Sequence, residues 1–227
     1  MNRPGLLSIA LLLLGTAGCA SRGPAPMTQV ASPCDRHWQL QSAQPLALDE
    51  VRPQVLRLDA GSRCGFLEDG RVSNYTVLRL PAFDGPWSLS LESLIDGSSL
   101  FAPEVATLDA DGRVRRELPL DRFVMRGDRL QANLFFGAED AEESYLLLRS
   151  APQAVGRSDE RVVSRSFFLP ILNAVMPILY VQGTERERRY TYSHAGRVQL
   201  QARSRTPKRD APKASDLARA ELKTYLR

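Results

Sequence analysis

Two histidines, three cysteines and two acidic turns are the residues from which this 227-residue chain could build chemistry. A nucleophile triad needs a histidine held between a nucleophile and a carboxylate. His37 lies near the start of the body and His194 stands before a glycine turn, and neither has a Ser or Cys motif beside it. No catalytic residue is therefore assigned, and no enzymatic activity is expected. The stretch SSLFAPEVATLDADGRV (98–114) carries Asp109-x-Asp111-Gly112, half of a calcium loop. An EF-hand needs further oxygen ligands and a Glu at the twelfth position. Here Arg113, Arg115 and Arg116 follow, which would repel a cation. Asp-Gly between apolar alternations signals a hairpin tip instead. Glu139 and Asp140 with Glu142 and Glu143 could in principle serve a glycosidase. Their polar surroundings favour a solvated loop. Sugar binding would use an aromatic platform, for which Trp38, Trp87, Tyr180, Tyr190 and Tyr192 are available. Core packing is the commoner fate of aromatics on strands, so the ligand-binding residues stay unknown. No cofactor and no metal site are expected: there is no CxxC, and two histidines are too few to suggest a cluster.

The first cysteine closes a targeting segment. Arg3 gives a positive start, Leu6 to Leu14 an apolar run, and Thr16-Ala17-Gly18-Cys19 a small-residue end. That layout is a secretory signal, and the run is too short for the ~20 residues of a spanning helix. "TAGC" resembles the bacterial lipobox. The resemblance implies cleavage before Cys19, diacylglyceryl on its sulfur and an acyl group such as palmitate on its amine. Three chains would anchor stably where one is marginal. The alternative is an ordinary signal peptide cut near Ala20. Ala20 and Ser21, rather than Asp, follow the cysteine, which by the lipoprotein pattern favours the outer over the inner membrane. The expected location is thus the periplasm, at a membrane. The partner is that membrane, with a carbohydrate or an envelope protein beside it.

Cys34 and Cys64 remain as an even pair. In an oxidising compartment they are expected to form a disulfide, worth about 3.7 kcal/mol on the chain-entropy model; free thiols or a metal pair are the alternatives. Charge is uneven. Residues 203–227 carry eight Lys or Arg against three acidic residues, whereas residues 19–202 have a net charge of −2. The high pI therefore belongs to the tail and gives no case for nucleic acid.

These residues must be positioned by a chain that reads as β. SNYTVLRL (73–80) and WSLSLESLI (87–95) alternate with period two. PEVATLDADGRVRRELP reads as strand, turn, strand. DRLQANLFFG (128–137) and ESYLLLRSA (143–151) read as an antiparallel pair across AEDAEE, and RRYTYSHAGRVQLQAR (188–203) as two strands around His194. The expectation is an all-β, antiparallel β-sandwich, jelly-roll-like, with a short helical tail. Its divisions are a signal (1–18), a flexible tether (19–36), the sandwich (37–202), and a basic linker with a C-terminal helix (203–227). That helix, 215–227, has Ser215 as N-cap, Asp216 in its first turn and Lys223 and Arg227 in its last. Ala218, Leu222, Tyr225 and Leu226 share one face. It docks on the sandwich, frays, or contacts an anionic surface such as peptidoglycan or lipid. SFFLPILNAVMPILYVQ (166–182) breaks the rhythm: apolar, but interrupted by Pro170 and Pro177. It reads as a buried crossover with a core strand, or else as an exposed patch that meets a partner or lipid.

The order of these stretches resembles the maltose operon periplasmic protein family. SLFAPEVATLD is similar to its Ser/Thr-x-Phe-Ala-Pro motif with a following Leu-Asp. YTVLRLP and WSLSLES resemble the strands before it, and DRLQANLFF and ESYLLLRSA those after. SHAGRVQLQ resembles a late His-x-x-Gly strand, one residue tighter here. The resemblance spans about residues 45–202. It implies a periplasmic protein linked to maltose and maltodextrin uptake, without established catalysis.

Overall fold

The computed structural model describes residues 24–30, 33–172 and 177–205, and for 163–186 the backbone alone. Cys19 and the helix expected at 215–227 lie outside the described residues.

Strands dominate, in two sheets, with short 3-10 turns between some of them. The first sheet holds β1 (Gln44–Pro45), β3 (Cys64–Phe66), β4 (Val72–Arg79), β7 (Pro103–Leu108), β8 (Val114–Leu118) and β11 (Tyr145–Ser150). Its order is β1-β4-β11-β7-β8, with β3 also on β4. The second holds β2 (Gln54–Leu58), β5 (Trp87–Asp96), β6 (Ser99–Phe101), β9 (Val124–Arg126), β10 (Arg129–Phe136), β12 (Ser158–Leu172), β13 (Pro177–Ser193) and β14 (Gly196–Ser204). There the order is β12-β13-β6-β5-β10-β9, and β14 links β5 to β2.

The period-two reading of β5 holds along its whole length, with every odd residue from Trp87 to Ile95 buried. Leu91 stands opposite Ala132 on one side and Leu200 on the other, which makes β5 a central strand. One core cluster joins Leu78, Val105, Leu146 and Leu148 of the first sheet to Leu89, Leu91, Leu134 and Leu200 of the second. Each fully buried leucine of this kind contributes roughly 1.5–3 kcal/mol, so this cluster is the main stabilising contact between the sheets. The opposite face of the first sheet carries a second cluster, Tyr75, Val77, Ala106, Leu108 and Leu147. Trp38, Leu40 and Ala43 of the chain before β1 cover it. β4 and β11 are consequently buried on both faces.

Two expectations about pairing are corrected. Residues 128–137 and 143–151 do not pair with each other. β10 lies against β5 and β9, and β11 against β4 and β7. The connection over 137–144 is long enough to cross the ~10 Å between packed sheets, and its acidic composition does not distinguish a crossover from a hairpin. Residues 166–182 do not form a crossover with a core strand. Both halves belong to one antiparallel hairpin, β12 with β13, in register from Ser158↔Thr191 to Leu172↔Pro177. Only Thr191–Ser193 join the rest of the sheet, through β6. Proline is barred from central strands because it has no N–H for the ladder. A two-stranded ribbon accepts Pro170 and Pro177 because its outer edges have no ladder to complete.

Candidate functional site

Alternation puts Glu104, Ala106 and Leu108 on one face of β7, and pairing puts Arg149 opposite Glu104 and Glu117 opposite Ala106. The apolar part of that face is roofed by residues 38–43. Where the face turns charged the roof stops, and an open cavity of about 990 Å³ begins. Trp38, Leu40, Phe66 and Val114 supply its apolar lining, and Arg71, Glu104, Glu117, Arg149 and Gln153 its polar floor.

The roof is held by local bonds. Cys34 and Cys64 are joined by a disulfide, 4.7 Å between Cα atoms, as the oxidising-compartment argument expected. Beside it Asp35 pairs with β3: its N–H donates to Cys64 O at 2.7 Å, and Phe66 N–H donates to Asp35 O at 3.1 Å. Tyr75 Oη donates to Asp35 Oδ2 at 2.7 Å and accepts from Gln39 N–H at 3.2 Å. Burial, then the bond to Asp35, pushes the Tyr75 phenol up to about 12. Trp38 meets Tyr75 edge to face at 4.9 Å between centroids.

The floor is a continuous polar chain. Arg71 is paired with Asp69 at 2.5 Å and donates to Gln153 Oε1 at 3.1 Å. Gln153 Nε2 donates to Glu104 Oε1. Glu104 Oε2 accepts from Arg149 Nε at 3.2 Å, and Arg149 reaches Glu117 at 3.4 Å. The bond from Arg71 holds the Asp69 carboxyl below the usual carboxylate value. These groups fix one another before any ligand arrives, which reduces the ordering cost of binding. An aromatic ring beside planar donors and acceptors can stack on the C–H face of a pyranose and bond its hydroxyls. Such a mix of apolar lining and few fixed polar groups is the usual make-up of a small-molecule cleft.

Of the five aromatics considered for such a platform, Trp38 alone among the described residues lines this cavity. Trp87 stacks on Phe136 at 3.8 Å in the core. Tyr190 is buried, with Tyr192 edge-on at 5.7 Å, and the side chain of Tyr180 lies outside the described residues. His37 lines the cavity. Glu104, Arg149 and Gln153 were missed. The available signal was a charge placed two positions from an apolar strand residue, Glu104 before Ala106 and Arg149 after Leu147.

The 109–112 turn is a hairpin tip, closed by Asp109 N–H to Arg113 O at 3.0 Å, with Gly112 at φ 83°. Asp109 Oδ1 also accepts from the N–H groups of Asp111 and Arg113. The tip has a further position that the sequence did not show: Asp111 and Gly112 form part of the cavity rim. The acidic turn needs a correction. Glu142 is on the surface and bonds Arg115 at 2.8 Å, but Glu143 is buried against Arg116, with contacts of 2.7 and 2.6 Å. Arg116 lies on β8, 27 residues away in sequence, so local polarity could not reveal the pairing.

The fold also joins a serine and a histidine that lie far apart in sequence. Ser150 Oγ is 2.7 Å from His194 Nδ1, and Ser73 Oγ is 2.9 Å beyond. Ser150 is wholly buried and His194 is 5% exposed. Burial lowers the histidine's pKa, and none of the three lines the cavity. The arrangement fastens β4, β11 and the turn after β13 together. Met27 adds to it, with its N–H on Ser193 Oγ at 2.8 Å and its carbonyl accepting from His194 N–H at 2.9 Å.

With two sheets, a roofed outer face and an adjoining cleft, the chain is an all-β protein with a ligand-sized cavity. The family model described as maltose operon periplasmic protein precursor (MalM) matches residues 71–161. The chain is similar to that family from the start of β4 into β12, a narrower span than the resemblance over 45–202. No curated protein and no solved structure matches.

Proposed function

We propose that this is a non-enzymatic periplasmic lipoprotein, held at the outer membrane through Cys19, that assists maltose or maltodextrin uptake by binding the sugar in the cleft that Trp38 lines. One observation carries the reading. The 71–161 match to the maltose operon family contains half of the cleft lining, including the polar floor residues Arg71, Glu104, Glu117, Arg149 and Gln153, while Trp38 lies before it. The core shared by the two sheets supports the sandwich architecture that goes with it. A segment laid over the outer face of one sheet, as residues 38–43 are, can build a site without disturbing the core between the sheets.

Titration calorimetry of the mature chain with maltose through maltoheptaose, and with cellohexaose as control, tests it. Binding of the α-linked series, with affinity rising with length and lost in Trp38→Ala, is expected. Absence of heat with every sugar overturns the sugar reading. Mass spectrometry of the mature N-terminus checks Cys19, where an unmodified residue would remove the lipoprotein assignment.

A further inference from the structure

The β12–β13 ribbon changes character along its length. Near the sheet each cross-strand pair has a charged or polar member: Glu160↔Arg189, Arg161↔Arg188, Val162↔Glu187, Val163↔Arg186, Ser164↔Glu185 and Arg165↔Thr184. From Phe168↔Val181 onward, through Leu169↔Tyr180, Pro170↔Leu179, Ile171↔Ile178 and Leu172↔Pro177, both members of each pair are apolar or aromatic. Alternation is lost, so both faces of the ribbon's far end are apolar by sequence. A strand that walls a water-filled barrel alternates, and one that covers a sheet is apolar on one face. Neither pattern is present. A segment apolar on both faces suits a medium that is apolar all round.

The N-terminal chain gives that medium a place. Met27 is bonded to Ser193 and His194, at the foot of the ribbon. Cys19 is eight residues earlier, a reach of at most ~28 Å. The polar part of the ribbon, from Ser158 to Phe168, is about 34 Å long at ~3.4 Å per residue. An anchor at Cys19 and the apolar end of the ribbon therefore come to similar distances from one foot. The five apolar pairs span about 14 Å, against roughly 15 Å for half of a ~30 Å hydrocarbon core. Tyr180 sits in register near the boundary with the polar stem, the depth that tyrosine favours at a bilayer surface. Open backbone edges are costly in lipid, and Pro170 and Pro177 bring no N–H donor with them.

We infer that the far end of the β12–β13 ribbon, residues 168–172 with 177–181, enters one leaflet of the phospholipid membrane that holds the N-terminus. The placement rests on the Cys19 reading; the ribbon's own affinity for lipid does not, and the two are tested apart. The chain from residue 19 with Cys19→Ser, which cannot be acylated there, is sedimented with phosphatidylethanolamine–phosphatidylglycerol vesicles. The expected result is vesicle binding that falls at least tenfold in the registered double variant Ile171→Asp/Ile178→Asp and is unchanged in Val162→Asp on the stem. An environment-sensitive dye on Leu179→Cys should shift to the blue with vesicles, and one on Glu187→Cys should not. An unchanged melting temperature in the double variant would show that the loss is not unfolding. No vesicle binding by the parent, or equal binding by parent and double variant, overturns the inference. So does lipid-independent dimerisation that the double variant abolishes, because the ribbon end would then be covered by a second copy. Vesicle binding through the ribbon in a protein whose native Cys19 proves unmodified supports the insertion and removes only the anchor.

Discussion

Gly65 lies directly under the indole of Trp38: a methyl group on Gly65 would come within 3.0 Å of Trp38 Cε3 and crowd two further ring atoms. β3 is therefore shaped to receive the ring that roofs the cleft. Gly65→Ala should push Trp38 out of place, at an overpacking cost of roughly 1–3 kcal/mol, while removing no group that a ligand would touch. Tryptophan fluorescence should change, and sugar affinity should weaken about tenfold or more. Unchanged fluorescence and affinity would show that Trp38 does not need this seat.

The disulfide lies one residue from Gly65 and four from Trp38. Cys34 precedes the Asp35 bridge, and Cys64 precedes Gly65. Replacing both cysteines with serine should lower stability by about 3.7 kcal/mol on the chain-entropy model for a loop of this length. It should also weaken binding at the cleft, because the roof loses its covalent tie. Urea unfolding with and without reductant gives the first quantity, and calorimetry of the folded variant the second. A variant that lost stability but bound sugar as tightly as the parent would separate the disulfide from the site.

How far the residues announced this arrangement depends on the range of the interactions. β5 and the 109–112 tip were legible because period two and Asp-Gly are local signals. The partners of β10 and β11 were not, since a short polar connection serves equally for a hairpin and for a crossing between sheets. Trp38 was visible as a candidate but not as a choice among five aromatics. The choice depends on Gly65 and Tyr75, 27 and 37 positions away. Ser150 and His194 were joined only by folding, 44 residues apart.

Glu143 offers a test of the pairing that local composition concealed. Its carboxylate takes two bonds from Arg116, which also lies 4.9 Å over the Phe136 ring and donates to Phe135 O at 3.0 Å. Breaking a fully buried pair costs about 3–5 kcal/mol. The Arg116 side chain is one third exposed, and Asp140 stands 3.4 Å from it as a second partner. Glu143→Gln should therefore cost less, about 2 kcal/mol. Glu142→Gln, on an exposed pair, should cost under about 1 kcal/mol. Equal effects in denaturant unfolding would contradict the burial of Glu143.

The tip residues separate by the same reasoning. Asp109 Oδ1 accepts two backbone N–H groups, whereas the Asp111 carboxylate accepts from the exposed Arg113 side chain. Asp109→Ala should cost about 1 kcal/mol, in the range of a lost cap. Asp109→Asn, which keeps an acceptor oxygen, should cost little, and so should Asp111→Asn. Calcium should change none of these melting temperatures. A calcium-dependent rise lost in Asp109→Asn/Asp111→Asn would make the turn a cation site.

His194 sets a pH dependence whose sign follows from its burial. Its folded pKa lies below the ordinary 6.5, and desolvation is the cause. The imidazole Nδ1 lies 2.7 Å from Ser150 Oγ, and the residue is 5% exposed. The unfolded chain takes up a proton near pH 6.5, whereas the folded chain resists it. Between 6.5 and the lower folded pKa the unfolded state binds more protons, so stability decreases as pH falls. The histidine's contribution is complete above 6.5 and is lost as pH drops through the folded value. Tyr75 acts in the opposite range: its pKa is raised from 10.0 to about 12. Its contribution is complete below pH 10 and is lost as pH rises towards 12. Unfolding free energies measured from pH 5 to 8 should show a decline below 6.5 in the parent that is smaller in His194→Gln. Measurements from pH 9 to 11.5 should show a decline that Tyr75→Phe reduces. A His194→Gln variant with the same slope as the parent below 6.5 would place the acid sensitivity in the carboxylates instead.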